Sequence, residues 1–211
     1  MAKNFSLFKI EKIKKKISSK NLNSIINLIK FENKDSILAK LSDSLIINYI
    51  NKVSISKFFF LYLLKEKQNI VGYALFVKDN KYLIKIFRNK KLDIFIYLLI
   101  NFKFLTILNI LLAVSNLDLF FLKKKNIKKI IPLLNLNLLA LNKEYQSKGI
   151  GKFFLSKTLK IIRNNYRFKI LTCEAPNKRV LNFYLKKNNF ILIGKKIRLF
   201  KNLYVLEKYY K

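Results

Sequence analysis

The chain has 211 residues, of which 52% are hydrophobic, which is enough material for one domain with an ordinary core. It contains no histidine and one cysteine, Cys173, so the sequence excludes imidazole triads, His-rich or Cys-x-x-Cys metal sites and intramolecular disulfides. The formal charge is +33, but only five of the 44 basic residues are arginine, and this lysine-rich composition is typical of an AT-rich genome rather than of a nucleic-acid-binding face. Nucleic acid is therefore not expected as a partner, although a phosphate-rich partner stays open.

The cellular setting is predicted from two further features. A lone cysteine and the lack of an uninterrupted apolar segment of the signal-peptide type near the N-terminus both favour a reducing compartment. We therefore expect a cytoplasmic protein.

The first 77 residues predict a strand, two helices and a β-hairpin. The apolar periodicities place them at residues 7–14, 18–31, 36–51, and 57–64 with 70–77. Gly72 lies in the second hairpin arm, where it marks a bulge, a close backbone approach or an ordinary strand glycine.

Residues 81–131 form an insertion with basic flanks and an apolar centre at 94–114. The apolar centre approaches the length needed to span a bilayer, about 20 residues. It contains Asn101, Lys103, Thr106 and Asn109, which would lie on several sides of a helix rather than on one. This distribution argues against a simple lipid-facing helix. Three interpretations stay open: a helical insertion packed on the domain or a partner, an interfacial membrane helix, and a true span. Weak peripheral membrane contact through residues 90–125 is thus possible.

The last 80 residues alternate strands and helices. The pattern predicts strands at 133–141, 168–173, 190–193 and 199–206, and helices at 150–162 and 177–187. With the N-terminal elements, this order implies an α/β protein with a mixed sheet and helices on both faces.

A glycine-containing loop stands between the strand at 133–141 and the helix that follows it. Backbone N–H groups at a helix start are unpaired and lie at the positive end of the helix dipole, so they can bind a pyrophosphate. The two glycines permit unusual backbone geometry and close approach of the phosphates, although the same loop also suits a purely structural turn. The loop consists of Gln146, Ser147, Lys148, Gly149, Ile150 and Gly151.

The last 75 residues resemble the cofactor-binding half of the GNAT N-acetyltransferases. The family has a buried strand, a Gln-x-x-Gly-x-Gly loop, a helix and a strand, followed by Asn, Phe-Tyr and usually Gly-Phe. This chain has Asn177, Phe183-Tyr184 and Asn189-Phe190 in those places, with asparagine where glycine is usual. The resemblance implies the GNAT-like acyl-CoA N-acyltransferase fold, with a mostly antiparallel central sheet, over a single domain at residues 1–211.

The resemblance also implies roles for individual residues. Leu139 and Leu141 would offer backbone groups to the pantetheine arm of acetyl-CoA, and residues 146–151 would hold its pyrophosphate. Asn177 would contact the cofactor arm. Tyr184 would donate a proton to the departing thiolate, with a core aromatic as the alternative. Acetyl-CoA is the expected co-substrate, and no metal is expected.

The general base and the acceptor are less sharply indicated. Without histidine, the base must be a carboxylate, a tyrosine, Cys173 or an ordered water. Glu174 is the candidate, with an ordinary surface glutamate as the alternative interpretation. Glu144 in the loop is expected to be solvated. The acceptor is a primary amine: a nucleotide-linked amino sugar, a protein N-terminus, a polyamine or another small amine. The alternative function is a basic, non-enzymatic protein that binds nucleic acid or anionic membrane and carries a vestigial CoA loop.

Overall fold

The computed structural model of the protein describes residues 5–34, 36–86, 90–101, 103–104, 106–108, 133–198 and 201–210. It contains strands β1 (Phe8–Ile13), β2 (Phe59–Glu66), β3 (Asn69–Val77), β4 (Leu133–Leu141), β5 (Ile170–Ala175), β6 (Ile191–Arg198) and β7 (Lys201–Tyr209). Its described helices are α1 (Ser19–Glu32), α2 (Asp43–Ile55), α3 (Lys81–Ile86), α4 (Lys91–Ile100), α5 (Ile150–Asn165) and α6 (Lys178–Asn188). The strands follow the order β1-β2-β3-β4-β5-β7-β6 in one sheet.

Contacts between Cα atoms divide the chain into two compact units, and β4 contributes to both. The first unit comprises Met1–Val77 with Asn137–Arg167, and the second comprises Lys78–Leu136 with Phe168–Lys211. The single-domain expectation stays a prediction.

In the first unit, strands β1, β2 and β3 form an antiparallel meander. Residues Phe59–Leu64 of β2 are buried without alternation, and so are Ile70–Val77 of β3. Both faces of this sheet are therefore covered. Helices α1, α2 and α5 supply the cover, since α1 contacts β3 and the other two contact β2.

The second predicted helix begins later than the apolar spacing suggested. Residues 38–40 form a 3₁₀ turn, and α2 begins at Asp43. The Ser42 side chain accepts a hydrogen bond from the Leu45 N–H and so caps the helix at this point. The start of α2 is thus set by the serine cap rather than by the periodicity of the apolar residues.

Gly72 combines two of the roles considered for it. The register of β2 and β3 shifts beside it, since Leu64 faces Gly72 while Lys65 faces Ile70. A Cβ atom at Gly72 would lie 2.8 Å from the Ala140 carbonyl oxygen and 2.4 Å from Leu141 Cδ2. Glycine is thus required by the close approach of β3 to the end of β4.

The second unit contains the start of β4 with β5, β7 and β6. Residues Leu133–Leu136 pair in parallel with Ile170–Cys173, and β7 lies antiparallel between β5 and β6. Helix α6 ends at Asn189, which adopts the left-handed conformation (φ 56°, ψ 43°). Asparagine tolerates this geometry, so its substitution for the usual glycine preserves the helix end.

The described part of the insertion contains α3 and α4, and residues 109–132 lie outside the described residues. Ile94 and Leu98 of α4 are buried, whereas Leu92, Phe95, Ile96, Leu99 and Ile100 are exposed. Among the described residues, no helix combines the length and the apolarity needed to cross a membrane.

Candidate active site

The loop that precedes α5 has the backbone geometry of an anion cradle. Ser147 and Gly149 both adopt positive φ angles, 60° and 81°, and Gly149 is the N-cap of the helix. Phe153 donates the first intrahelical bond to the Gly149 carbonyl, at 3.1 Å. The N–H groups of residues 150–152 therefore precede the hydrogen-bond ladder of the helix and emerge at its positive end.

The charges around this helix start also suit an anion. The first turn of α5 carries no acidic residue, and Lys148 and Lys152 are exposed on either side of Gly149. An approaching phosphate would thus meet backbone N–H groups and two lysines.

Three hydrogen bonds clamp the loop to the rest of the first unit. The Gln146 side-chain amide donates to the Leu141 carbonyl at 2.7 Å and to a Glu32 carboxylate oxygen at 2.6 Å. The Asn142 N–H donates to the Val71 carbonyl at 2.9 Å. Gln146 therefore positions the loop, a role that its place in the motif did not reveal.

Tyr145 provides a further clamp. Its hydroxyl donates to a Glu66 carboxylate oxygen at 2.7 Å, and this hydrogen bond raises the pKa of Tyr145 to about 12. The phenol stays protonated at neutral pH and keeps its bond to β2. Glu32 and Glu66 were not singled out in the sequence, since no local pattern links either of them to the loop.

Two clefts of the first unit, with volumes of about 340 and 290 Å³, lie beside residues 142–145, which precede the loop. Asn142 and Glu144 line both clefts, so Glu144 is an exposed side chain at their margin. Of the two β4 residues expected near the pantetheine arm, Leu139 is half-buried and Leu141 is buried.

In the second unit, Tyr184 is 4% exposed and packs edge-on to Phe183 and against Phe190, with ring centroids 5.1 and 5.0 Å away. Burial, and then the neighbouring Cys173, raise the pKa of Tyr184 well above its ordinary value. The phenol is therefore protonated across the neutral range. The same burial makes the phenol a weaker acid than a free tyrosine and is also that of a core aromatic.

Asn177 and Tyr184 occupy different environments. Asn177 is exposed and is the N-cap of α6, where its side-chain oxygen accepts a hydrogen bond from Val180 N–H at 3.0 Å. Its φ of −155° is that of extended backbone, so Asn177 lies outside the helical turns of α6 that carry Tyr184.

Glu174 lies within β5 rather than just after it, because the strand extends to Ala175. Its carboxylate forms an ion pair with Lys196 of β6 at 2.8 Å. Cys173, another candidate base, is buried, and desolvation raises the pKa of its thiol. A protonated thiol is a poor proton acceptor at neutral pH.

A row of polar side chains crosses the second unit from β4 to β7, and sequence reasoning did not identify it. Asn135 of β4 faces Thr172 of β5, which in turn faces Glu207 of β7. Residues directly opposite each other project from the same face of a sheet, so these three side chains form one row. Asn135 and Glu207 are 7% and 2% exposed.

A sequence model described as the acetyltransferase (GNAT) family matches residues 132–190. No curated protein sequence matches the chain. Solved structures do match over nearly the whole length. The chain resembles arylalkylamine N-acetyltransferase 2 from Aedes aegypti with 14% identity and a TM-score of 0.59, covering 96% of this chain and 98% of that one.

Two further structures hold the coenzyme. Spermidine N-acetyltransferase from Vibrio cholerae, in complex with CoA and spermine, is 10% identical with a TM-score of 0.59, over 97% of this chain and 96% of that one. A GNAT family acetyltransferase from Elizabethkingia anophelis with acetyl-CoA bound is 14% identical with a TM-score of 0.52, over 97% and 99% of the two chains. The protein has the GNAT fold. The predicted resemblance and the mixed α/β architecture are thereby confirmed.

The match over residues 132–190 includes the whole loop and all of α6. Among the described residues, no group of three or more acidic or cysteine side chains is arranged to hold a metal ion.

Proposed function

We propose that the protein transfers the acetyl group of acetyl-CoA to a primary amine. The observation that carries this proposal is the geometry at the start of α5, where left-handed Gly149 precedes N–H groups that emerge at the positive end of the helix. The match of residues 132–190 to the GNAT family supports it.

Residues of both units have roles in the proposed reaction. In the first unit, Leu139 and Leu141 bind the pantetheine arm through backbone groups, and the loop from Gln146 to Gly151, which the Gln146 side chain positions, binds the pyrophosphate. In the second unit, Asn177 contacts the cofactor arm and Tyr184 is the general acid. The neutral amine attacks the acetyl carbonyl carbon, and the C–N bond forms as the C–S bond breaks. The Tyr184 hydroxyl protonates the leaving thiolate, and the proton that the nitrogen loses on forming the amide restores the phenol through solvent.

The proposed acceptors are small or nucleotide-linked amines, including amino sugars, in a cytoplasmic setting. The GNAT fold by itself does not choose among them. The proposal is tested by measuring thiol release from acetyl-CoA in the presence of a panel of primary amines. Amine-dependent release above the rate without protein is expected, and release that no amine accelerates would contradict the proposal.

We also propose weak peripheral membrane contact through α4, because this helix has exposed apolar side chains. Leu92 and Ile100 are 68% and 70% exposed, and Phe104 just beyond the helix is 56% exposed. Such side chains, on a chain with a formal charge of +33, suit an anionic lipid surface.

A further inference from the structure

Glu207 is the one charged side chain that falls in the buried class among those the structure describes. Its carboxylate accepts a hydrogen bond from the Tyr209 hydroxyl, and no described lysine or arginine lies within 4.0 Å of it. Burying a carboxylate without a cation costs several kcal/mol, and such costs are typical of functional sites.

Asn135 gives a second and independent sign of a ligand. Its side-chain oxygen accepts a hydrogen bond from the Thr172 hydroxyl, but its side-chain N–H₂ group has no partner in the structure. A buried donor without an acceptor is rare in folded proteins. Among the described residues, the polar row therefore has a carboxylate without a lysine or arginine beside it at one end and an unpaired donor at the other.

The row and Tyr184 lie on opposite faces of β5. Successive residues of a strand point to opposite faces, so Thr172 and Cys173 do so. Cys173 is the neighbour that acts on the pKa of Tyr184, whereas Thr172 belongs to the polar row. The row is therefore a polar surface of its own, on the face of β5 that Tyr184 does not occupy.

We propose that the row of Asn135, Thr172 and Glu207 is the acceptor subsite, in which Glu207 binds the substrate ammonium and takes its proton while Asn135 donates a hydrogen bond to an oxygen of the same substrate. This inference rests on the proposed acetyl transfer. The ammonium gives one proton to a Glu207 carboxylate oxygen, and the neutral amine then forms the C–N bond as the C–S bond breaks. The second proton that the nitrogen loses passes through solvent and replaces the one that Tyr184 gives to the thiolate. The proton leaves Glu207 for solvent after the acetylated product departs.

The subsite also narrows the acceptor class. Neighbouring strands are about 4.8 Å apart, so the backbones of Asn135 and Glu207 are separated by about 10 Å, and their side chains extend from the same face. A substrate that contacts both needs an amine and an oxygen acceptor on one small framework. Amino sugars and amino-acid amides meet this requirement, whereas polyamines have no oxygen.

The principal test is Glu207→Gln, which keeps the shape and removes the negative charge. We expect turnover to fall by about 10²- to 10⁴-fold with unchanged acetyl-CoA affinity and an unchanged or raised Tm. The rate of the variant should rise about tenfold per pH unit below the pKa of the amine, because the neutral fraction of the amine does so. Asp79→Asn, an exposed carboxylate paired with Lys81, is the control and should leave turnover unchanged.

Glu207→Asp and Asn135→Leu complete the test, with glucosamine, glycinamide, cyclohexylamine and spermidine as acceptor probes. The aspartate variant should recover part of the lost rate, and the leucine variant should lose any preference for the two oxygen-bearing amines. A Tm of Glu207→Gln several degrees below that of the parent, or full turnover, would overturn the inference. So would acetylation that excludes both oxygen-bearing amines. Failure of the parent protein to bind acetyl-CoA would instead overturn the proposed function itself.

Discussion

Tyr184 has an environment that keeps its hydroxyl protonated throughout the physiological pH range. Its ring lies between Phe183 and Phe190, and its pKa is raised by burial and by Cys173. A general acid must hold its proton until the thiolate forms, and this phenol does so. The same burial is expected of a core aromatic, so the hydroxyl alone must be tested.

Replacing Tyr184 by phenylalanine removes the hydroxyl and keeps the ring packing. We expect kcat to fall by about 10²- to 10⁴-fold with little change in acetyl-CoA affinity. Because the pKa of Tyr184 lies well above the neutral range, the shape of the pH–rate profile between pH 6 and 9 should not change. Tyr204→Phe, in β7, is the control. Turnover within about threefold of the parent would assign the proton to water.

Single residues also show where the sequence was informative and where it was not. Gly149 was predicted to adopt geometry closed to other residues, and its φ of 81° agrees. Glu207 and Asn135 were passed over, because their row depends on strand pairing between β4, β5 and β7. The available signal was a polar residue within an apolar strand, as in Leu134-Asn135-Leu136.

The loop and the start of α5 act as one element. Gly149→Val with Gly151→Val should abolish acetyl-CoA binding, because the new side chains would block the approach of phosphate to the N–H groups. Valine at position 149 would be strained by about 1–3 kcal/mol, because Gly149 has a positive φ. Gly151 lies within the helix, so Gly151→Val alone blocks the phosphate without this backbone strain. Calorimetric titration measures the affinity, with exposed Ser156→Val of the same helix as the control. Parent-like affinity in a folded double variant would contradict the role of the loop.

The proposed membrane contact of helix α4 is tested separately. We expect the parent protein to co-sediment with phosphatidylserine vesicles at low salt and less so at high salt. Serine at Phe95, Ile96 and Ile100 should abolish this binding. The matched control places serine at Leu7, Phe31 and Ile55, which are also exposed and apolar but lie elsewhere. Equal binding by the two triple variants would leave α4 without a membrane role.

At the level of elements, the strands and helices after residue 132 were predicted within about two residues for most boundaries, because apolar periodicity and glycine signals agree there. The final two strands extend further than predicted, since β6 continues to Arg198 through residues without apolar alternation. Pairing of β6 with β7, which no local signal encodes, extends both strands.

For the whole molecule, the formal charge of +33 is the feature that most invites a nucleic-acid function. The GNAT fold and the loop at residues 146–151 favour a smaller anionic ligand. A ligand that binds only the folded protein raises its stability, by about 2.7 kcal/mol at a concentration of 100 times Kd. For a protein of this size, that gain raises Tm by about 5–10 °C.

The most direct test of the account is therefore thermal unfolding of the parent protein with acetyl-CoA, CoA or a short DNA duplex added separately. We predict that acetyl-CoA and CoA each raise Tm by several degrees in a concentration-dependent way, and that the duplex does so far less at physiological salt. Stabilisation by the duplex with none by acetyl-CoA or CoA would contradict the account and favour a basic binding protein with a vestigial loop.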